Sequence, residues 1–116
     1  MVRIEILMTP TVAPALLMNL VFLAAGIVML LFPPKKINGL YGYRTPRSML
    51  NQENWDKAQR ISAIKMIQIS LVTGSLSFLL GISDWSETFV AIFSLVISLL
   101  GLAYLFYVTE KKLKSS

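Results

Sequence analysis

Cysteine and histidine are both absent from this 116-residue chain. Their absence removes disulfides, thiolate nucleophiles and the usual zinc or haem ligands together. It also removes the one side chain that titrates near neutral pH unaided. Charge is scarce as well, at 15% of residues, where a soluble domain carries about 25%. None of the six carboxylates falls inside a long apolar run. A buried acid–base pair of the kind used in proton relays or hydrolysis is therefore missing. A membrane enzyme acting on lipid headgroups would have only Ser, Thr, Tyr and exposed carboxylates to work with. The expectation is a non-enzymatic chain that needs no metal and no other cofactor.

What the chain has in quantity is apolar sequence: 55% of residues are hydrophobic and the mean hydropathy is +0.66. These residues are gathered into runs. Thr11 to Phe32 gives 22 residues without a charge, and Thr88 to Val108 gives 21. About 20 such residues cross the roughly 30 Å hydrocarbon core as a helix. Met66 to Ile82 supplies a third run of 17 residues, extended towards the N-terminus by Ile61 to Lys65. The long Lys65 side chain can carry its ammonium to the headgroups. Three spans follow, at about 11–32, 61–82 and 88–108, in a single membrane domain covering 1–116. The first run is read as a retained helix and not a signal peptide. Arg3 and Glu5 leave its flank without net positive charge, and Phe32-Pro33-Pro34-Lys35-Lys36 offers no small-residue cleavage site.

The net charge of +5 is distributed unevenly. Lys35, Lys36, Arg44, Arg47, Lys57, Arg60 and Lys65 fall on the first loop and the start of the second span, and Lys111, Lys112 and Lys114 on the tail. With three spans, these ten share one side of the membrane, opposite Arg3 alone. The positive-inside rule puts the long loop and the C-terminus in the cytoplasm and the N-terminus outside. The bilayer is the expected partner of this charge. Nucleic acid is not, since that would need a basic patch on a soluble surface.

Small residues recur on the spans: Ser70, Gly74, Ser77 and Gly81 on the second, Ser94, Ser98 and Gly101 on the third, and Ala24, Ala25 and Gly26 on the first. Their plainest use is close helix packing. A sharper alternative is a pocket or pore lined by Asn19, Gln68 and these hydroxyls, in a small oligomeric transporter or channel-like module. Three helices make a thin bundle, which leaves room for a homo-oligomer.

Residues 33–60 differ in kind. Pro33-Pro34 ends the first helix, and Asn38-Gly39 and Gly42 mark turns. Thr45-Pro46 has the form of an N-cap followed by a proline at the first helical position. An amphipathic helix is expected from there towards the second span. Ser48, Asn51, Trp55, Ala58 and Ser62 would share one face, with Glu53, Asp56, Lys57 and Arg60 on the other. Glu53–Lys57 and Asp56–Arg60 have the spacing of supporting ion pairs.

The stretch N-G-L-Y-G-Y-R-T-P-R-S-M-L-N-Q-E-N-W-D-K-A, Asn38 to Ala58, resembles the signature of the SdpI-type family. The namesake of that family is the bacterial immunity protein against the sporulation-delaying toxin. Asn38, Gly42, Tyr43, Arg44, Thr45, Ser48, Asn51, Trp55 and Ala58 stand at the matching positions. The namesakes are longer chains with additional N-terminal spans, and the likeness here covers the module around the signature. It implies an all-α protein of the bacterial cell membrane that gives immunity or tolerance to a membrane-active toxin peptide. It also implies two partners, the toxin peptide and a cytoplasmic regulator. The nine signature residues are the expected ligand- or partner-binding set. Within it, Arg44 is a permanent cation able to clamp a carboxylate, a phosphate or carbonyl oxygens.

Overall fold

In the computed structural model of the protein, which describes residues 4–114, a 3₁₀ turn at Ile4–Met8 precedes three helices. These are α1 (Ala13–Leu31), α2 (Gln52–Gly81) and α3 (Glu87–Lys112). Each is long and apolar enough to cross a membrane, and no strand occurs among the described residues. The protein is an all-α, multi-pass membrane protein. Arg3, the lone basic residue assigned to the far side, lies outside the described residues.

Local chemistry sets the helix ends. At the start of α1 the Thr9 hydroxyl accepts from the Val12 N–H at 3.2 Å, and Pro14 sits in the first turn, where a missing N–H costs little. Phe32 caps the far end, and Pro33-Pro34 cannot extend it. Ser86 caps α3 by accepting from the Phe89 N–H at 3.1 Å. Lys111 and Lys112 occupy the last turn of α3, where cations offset the helix dipole.

The separate amphipathic helix expected after Thr45-Pro46 is not formed. Thr45 does open a turn, since its hydroxyl accepts from the Ser48 N–H at 3.1 Å and its carbonyl from the Met49 N–H at 3.0 Å. The turn closes on itself, because the Ser48 Oγ lies 2.8 Å from the Thr45 N–H and 2.9 Å from the Thr45 carbonyl. A new helix then starts at Asn51, whose side chain accepts from the Asn54 N–H at 2.8 Å. That helix is α2 itself, 30 residues long and about 45 Å at 1.5 Å per residue. Its first turns are the expected amphipathic segment, fused to the span. Trp55, Ala58 and Ser62 are buried, and Glu53, Asp56, Lys57 and Arg60 are exposed. Glu53 pairs with Lys114 at 2.8 Å, and Asp56 accepts from the Gln52 amide at 2.8 Å. A tail residue has taken the place of Lys57 as the ion-pair partner of Glu53, and a neutral amide of the same helix that of Arg60 as the partner of Asp56.

α2 is the central element. α1 and α3 pack along it and touch each other little, giving a bundle 53 Å long. Small residues make these contacts. A Cβ on Gly26 would stand 3.0 Å from both Met66 and Ile67, and one on Gly101 would stand 2.6 Å from Ile69. Midway along the bundle the Thr73 hydroxyl lies 2.8 Å from the Asn19 carboxamide oxygen and 2.8 Å from the Ile69 carbonyl. It ties α1 to α2 where no water competes. At the end away from the loop, Ile6, Val12 and Val90 form a small core. The loop end carries the rest of the buried apolar side chains, including Met29, Tyr43, Ala58 and Leu113.

Gly26→Leu is expected to destabilise the bundle by about 1–3 kcal/mol, the usual cost of forcing bulk into a packed contact. Denaturant unfolding in detergent measures it. Undiminished stability would mean that α1 does not meet α2 at this point.

Candidate functional site: a loop clasp at the basic end

The loop from Phe32 to Asn51 is held by its own turns and by all three helices. Asn38 organises the first turn. Its carboxamide oxygen accepts from the Leu40 and Tyr41 N–H groups at 2.9 and 2.8 Å, and its amide donates to the Lys36 carbonyl at 2.9 Å. Short polar side chains build turns in this way. The Tyr41 hydroxyl donates to the Phe32 carbonyl at 2.8 Å, and the Arg44 guanidinium donates to the Gly39 carbonyl.

Gly42 then turns the chain inward with φ +109°, a conformation that a side chain would strain. Space makes the same demand. A Cβ here would lie 2.5 Å from Gln59 Oε1 and 2.7 Å from Pro34 Cγ. The contact with Gln59 is the centre of the site. The Gln59 carboxamide oxygen accepts from the Tyr43 N–H at 2.7 Å, and its amide donates to the Tyr43 carbonyl at 2.8 Å. One buried side chain thus satisfies both backbone groups of a buried loop residue.

The Tyr43 ring packs against Phe106 of α3, with centroids 5.4 Å apart. Its hydroxyl donates to Glu110 Oε2 at 2.7 Å, and the Thr45 hydroxyl donates to the same oxygen at 2.8 Å. Arg47 adds a 3.2 Å bond to the Glu110 carbonyl. Burial, and then the neighbouring Glu110 carboxylate, push the Tyr43 phenol well above its ordinary pKa.

Two residues of α2 complete the clasp. The fully buried Trp55 donates its indole N–H to the Pro34 carbonyl at 2.7 Å. Asn54 donates to the carbonyls of Arg47 and Lys114, both at 2.9 Å, and accepts from the Lys114 N–H at 3.2 Å. The loop, the start of α2 and the tail after α3 are thereby joined. The exposed Glu53–Lys114 ion pair spans the same junction, where solvent screens it.

The structure brings most of the nine signature residues into this one assembly. Tyr43, Ser48, Trp55 and Ala58 are buried, and Thr45 bonds to Glu110. Gly42 supplies the inward turn. Asn38 and Asn51 shape local backbone, one as a turn and the other as a helix cap. Arg44 is different, because it alone turns a charge outward from the set. Leu40, the residue after the Gly39 that Arg44 bonds to, is 98% exposed. Sequence reasoning missed Asn54, Gln59 and Glu110. Gln59 stands four residues after Trp55 and Asn54 four before Ala58, so both were readable as members of the buried face. Glu110 lies 65 residues from Thr45, and no local pattern connects them. Among the described residues, no three His, Cys, Asp or Glu side chains converge as a metal site.

The family model described as the SdpI/YfhL protein family matches residues 35–108. The chain is also similar to the "Uncharacterized protein YfhL" of Bacillus subtilis (strain 168). The two are 46% identical over 90 residues, which is 78% of this chain and 76% of the relative. No solved structure matches the chain.

Gln59→Leu would leave the Tyr43 N–H buried without a partner and its carbonyl with only the 3.3 Å contact from the Ser48 hydroxyl. At about 1–3 kcal/mol for one such orphaned group, unfolding in detergent should show a loss of that size. Alkali provides a second measurement. A phenol held protonated by the fold stabilises fully below its unfolded pKa of about 10, and that contribution is lost as pH rises through the higher folded value. Unfolding measured from pH 8 upward should show stability falling beyond pH ~10, and Tyr43→Phe should reduce the fall. An identical pH dependence in both proteins would contradict the assignment.

Proposed function

The chain belongs to the SdpI/YfhL protein family, and from that membership we propose that it gives a bacterium tolerance to a membrane-active toxin peptide. It does so without catalysis, from the cell membrane, with its N-terminus outside and the signature loop and C-terminus in the cytoplasm. The excess of Lys and Arg at the loop end supports that orientation.

One observation carries the proposal further than kinship. The clasp fastens the loop to the ends of α2 and α3 through Trp55, Gln59 and Glu110, while Arg44 and Leu40 face outward. A rigid loop presents a cation and an apolar side chain without paying for their ordering on contact. The remaining N–H groups of Arg44 suit a carboxylate or the carbonyl oxygens of a peptide. Because the same loop is bonded to α3 and, through Asn54, to the tail, a cytoplasmic regulator would meet the contact residues and the tail on one joined surface. In this scheme Arg44 and Leu40 make the contact, while Tyr43, Thr45, Ser48, Trp55 and Ala58 hold them in place.

Expression in a host sensitive to the sporulation-delaying toxin peptide tests the proposal. At matched membrane levels, carrier cells should survive a dose that kills the control. Arg44→Gln should abolish most of that survival while unfolding as the parent does. Equal killing of carrier and control would refute tolerance to that toxin.

A further inference from the structure

We propose that the trough between α1 and α3 holds one acyl chain of an anionic phospholipid, with the lipid phosphate on Arg44. Since α1 and α3 each pack on α2 and touch each other little, α2 residues such as Met66 and Ile69 floor a groove between them. Two hollows follow this groove. One, of about 450 Å³, sits at the loop end between Met29, Tyr43, Arg44, Met66 and Phe106. The other, of about 150 Å³, lies midway along the bundle between Met18, Ile69 and Leu99. Phe22 and Leu102 line both, so the two hollows adjoin along the same trough.

Its length and chemistry both point to a lipid. From Asn19, in the inner hollow, to Met29, in the outer, is ten residues of α1, about 15 Å at the helical rise. That is half of the roughly 30 Å hydrocarbon core, the depth of one leaflet. The walls are mostly Met, Leu, Ile and Phe. Arg44 carries the only charge among the residues lining either hollow, and it stands at the loop end. Its bond to the Gly39 carbonyl fixes the guanidinium, and the side chain stays exposed. Glu110 is not among the residues lining the trough, and its Oε2 accepts from the Tyr43 and Thr45 hydroxyls. In a bilayer, hydrocarbon fills such a trough from the outset. A fixed cation at its mouth makes the filling selective for a phosphate that lacks a neutralising amine.

Native mass spectrometry of the detergent-purified chain, titrated with dioleoyl phosphatidylglycerol or dioleoyl phosphatidylcholine, measures the preference. The parent should retain one phosphatidylglycerol about tenfold better than phosphatidylcholine, the factor expected of one charge-assisted contact. Arg44→Gln should bring the ratio close to one, Arg44→Lys should keep most of it, and Arg60→Gln, a charge outside the trough, should leave it unchanged. Leu102→Trp should fill the trough and reduce retention of both lipids. If that variant fails to fold, the Arg44 series decides alone. Equal retention of the two lipids by the parent overturns the proposal, as does a preference that survives Arg44→Gln. A dimer of the chain that Leu102→Trp dissolves, with no lipid retained, would assign the trough to a second copy and also overturn it. The assay contains no toxin, so its failure leaves the proposed tolerance standing.

Discussion

The two hydrogen bonds between Gln59 and the backbone of Tyr43 are the constraint on which the basic end of the protein depends. A loop lying over a bundle cannot bury its peptide groups unless something replaces the water they give up. Gln59 replaces it at one residue, with a donor and an acceptor on a single carboxamide. Much else follows from that bond pair. The chain must approach α2 closely enough for Gly42 to touch Gln59 and Pro34, which leaves no room for a side chain. Tyr43 must enter the bundle, and its ring then reaches Phe106 and its hydroxyl Glu110.

Polarity is treated differently in the loop and along the helices. The loop's buried polar groups are paired through a network that crosses from Pro34 to α2 and on to α3. Along the helices, Asn19 and Thr73 bond to each other, while the buried hydroxyls of Ser70, Ser77, Ser94 and Thr109 find no partner among the described residues. These serines have another use. Their small side chains let neighbouring helices approach closely, and the dispersion gained by close approach offsets a hydroxyl of poor geometry. The spans are therefore fitted by size, and the loop by hydrogen bonds.

This difference explains what could be read from the sequence. Span number and the grouping of basic residues at one end depend on composition over some 20 residues, and both are legible there. The small-residue contacts at Gly26 and Gly101 follow from the same stretches. The start of α2 does not. Thr45-Pro46 has every local mark of a helix start, and one turn does form, but Ser48 folds it back and Asn51 caps the helix that continues. Two adjacent caps compete, and the winner is the one that places Asn54, Trp55 and Gln59 towards the loop. That outcome is tertiary. Glu110 was illegible for the same reason, because its two hydroxyl partners come from a loop more than 60 residues away.

The exposure of Arg44 follows from the burial of Tyr43. Burial alternates along this segment, with Tyr43 inside, Arg44 outside and Thr45 half-buried. Drawing Tyr43 into the bundle by its backbone, ring and hydroxyl leaves the next side chain on the opposite side of the chain. The Gly39 carbonyl, itself placed by the Asn38 turn, then holds the guanidinium at the mouth of the trough. A clasp built to satisfy buried peptide groups thus fixes a cation where apolar and polar surroundings meet. Stability and the recognition proposed for Arg44 are not competing explanations of the Asn38-to-Ala58 signature. Its inward residues supply the first, and they set the position from which Arg44 would act.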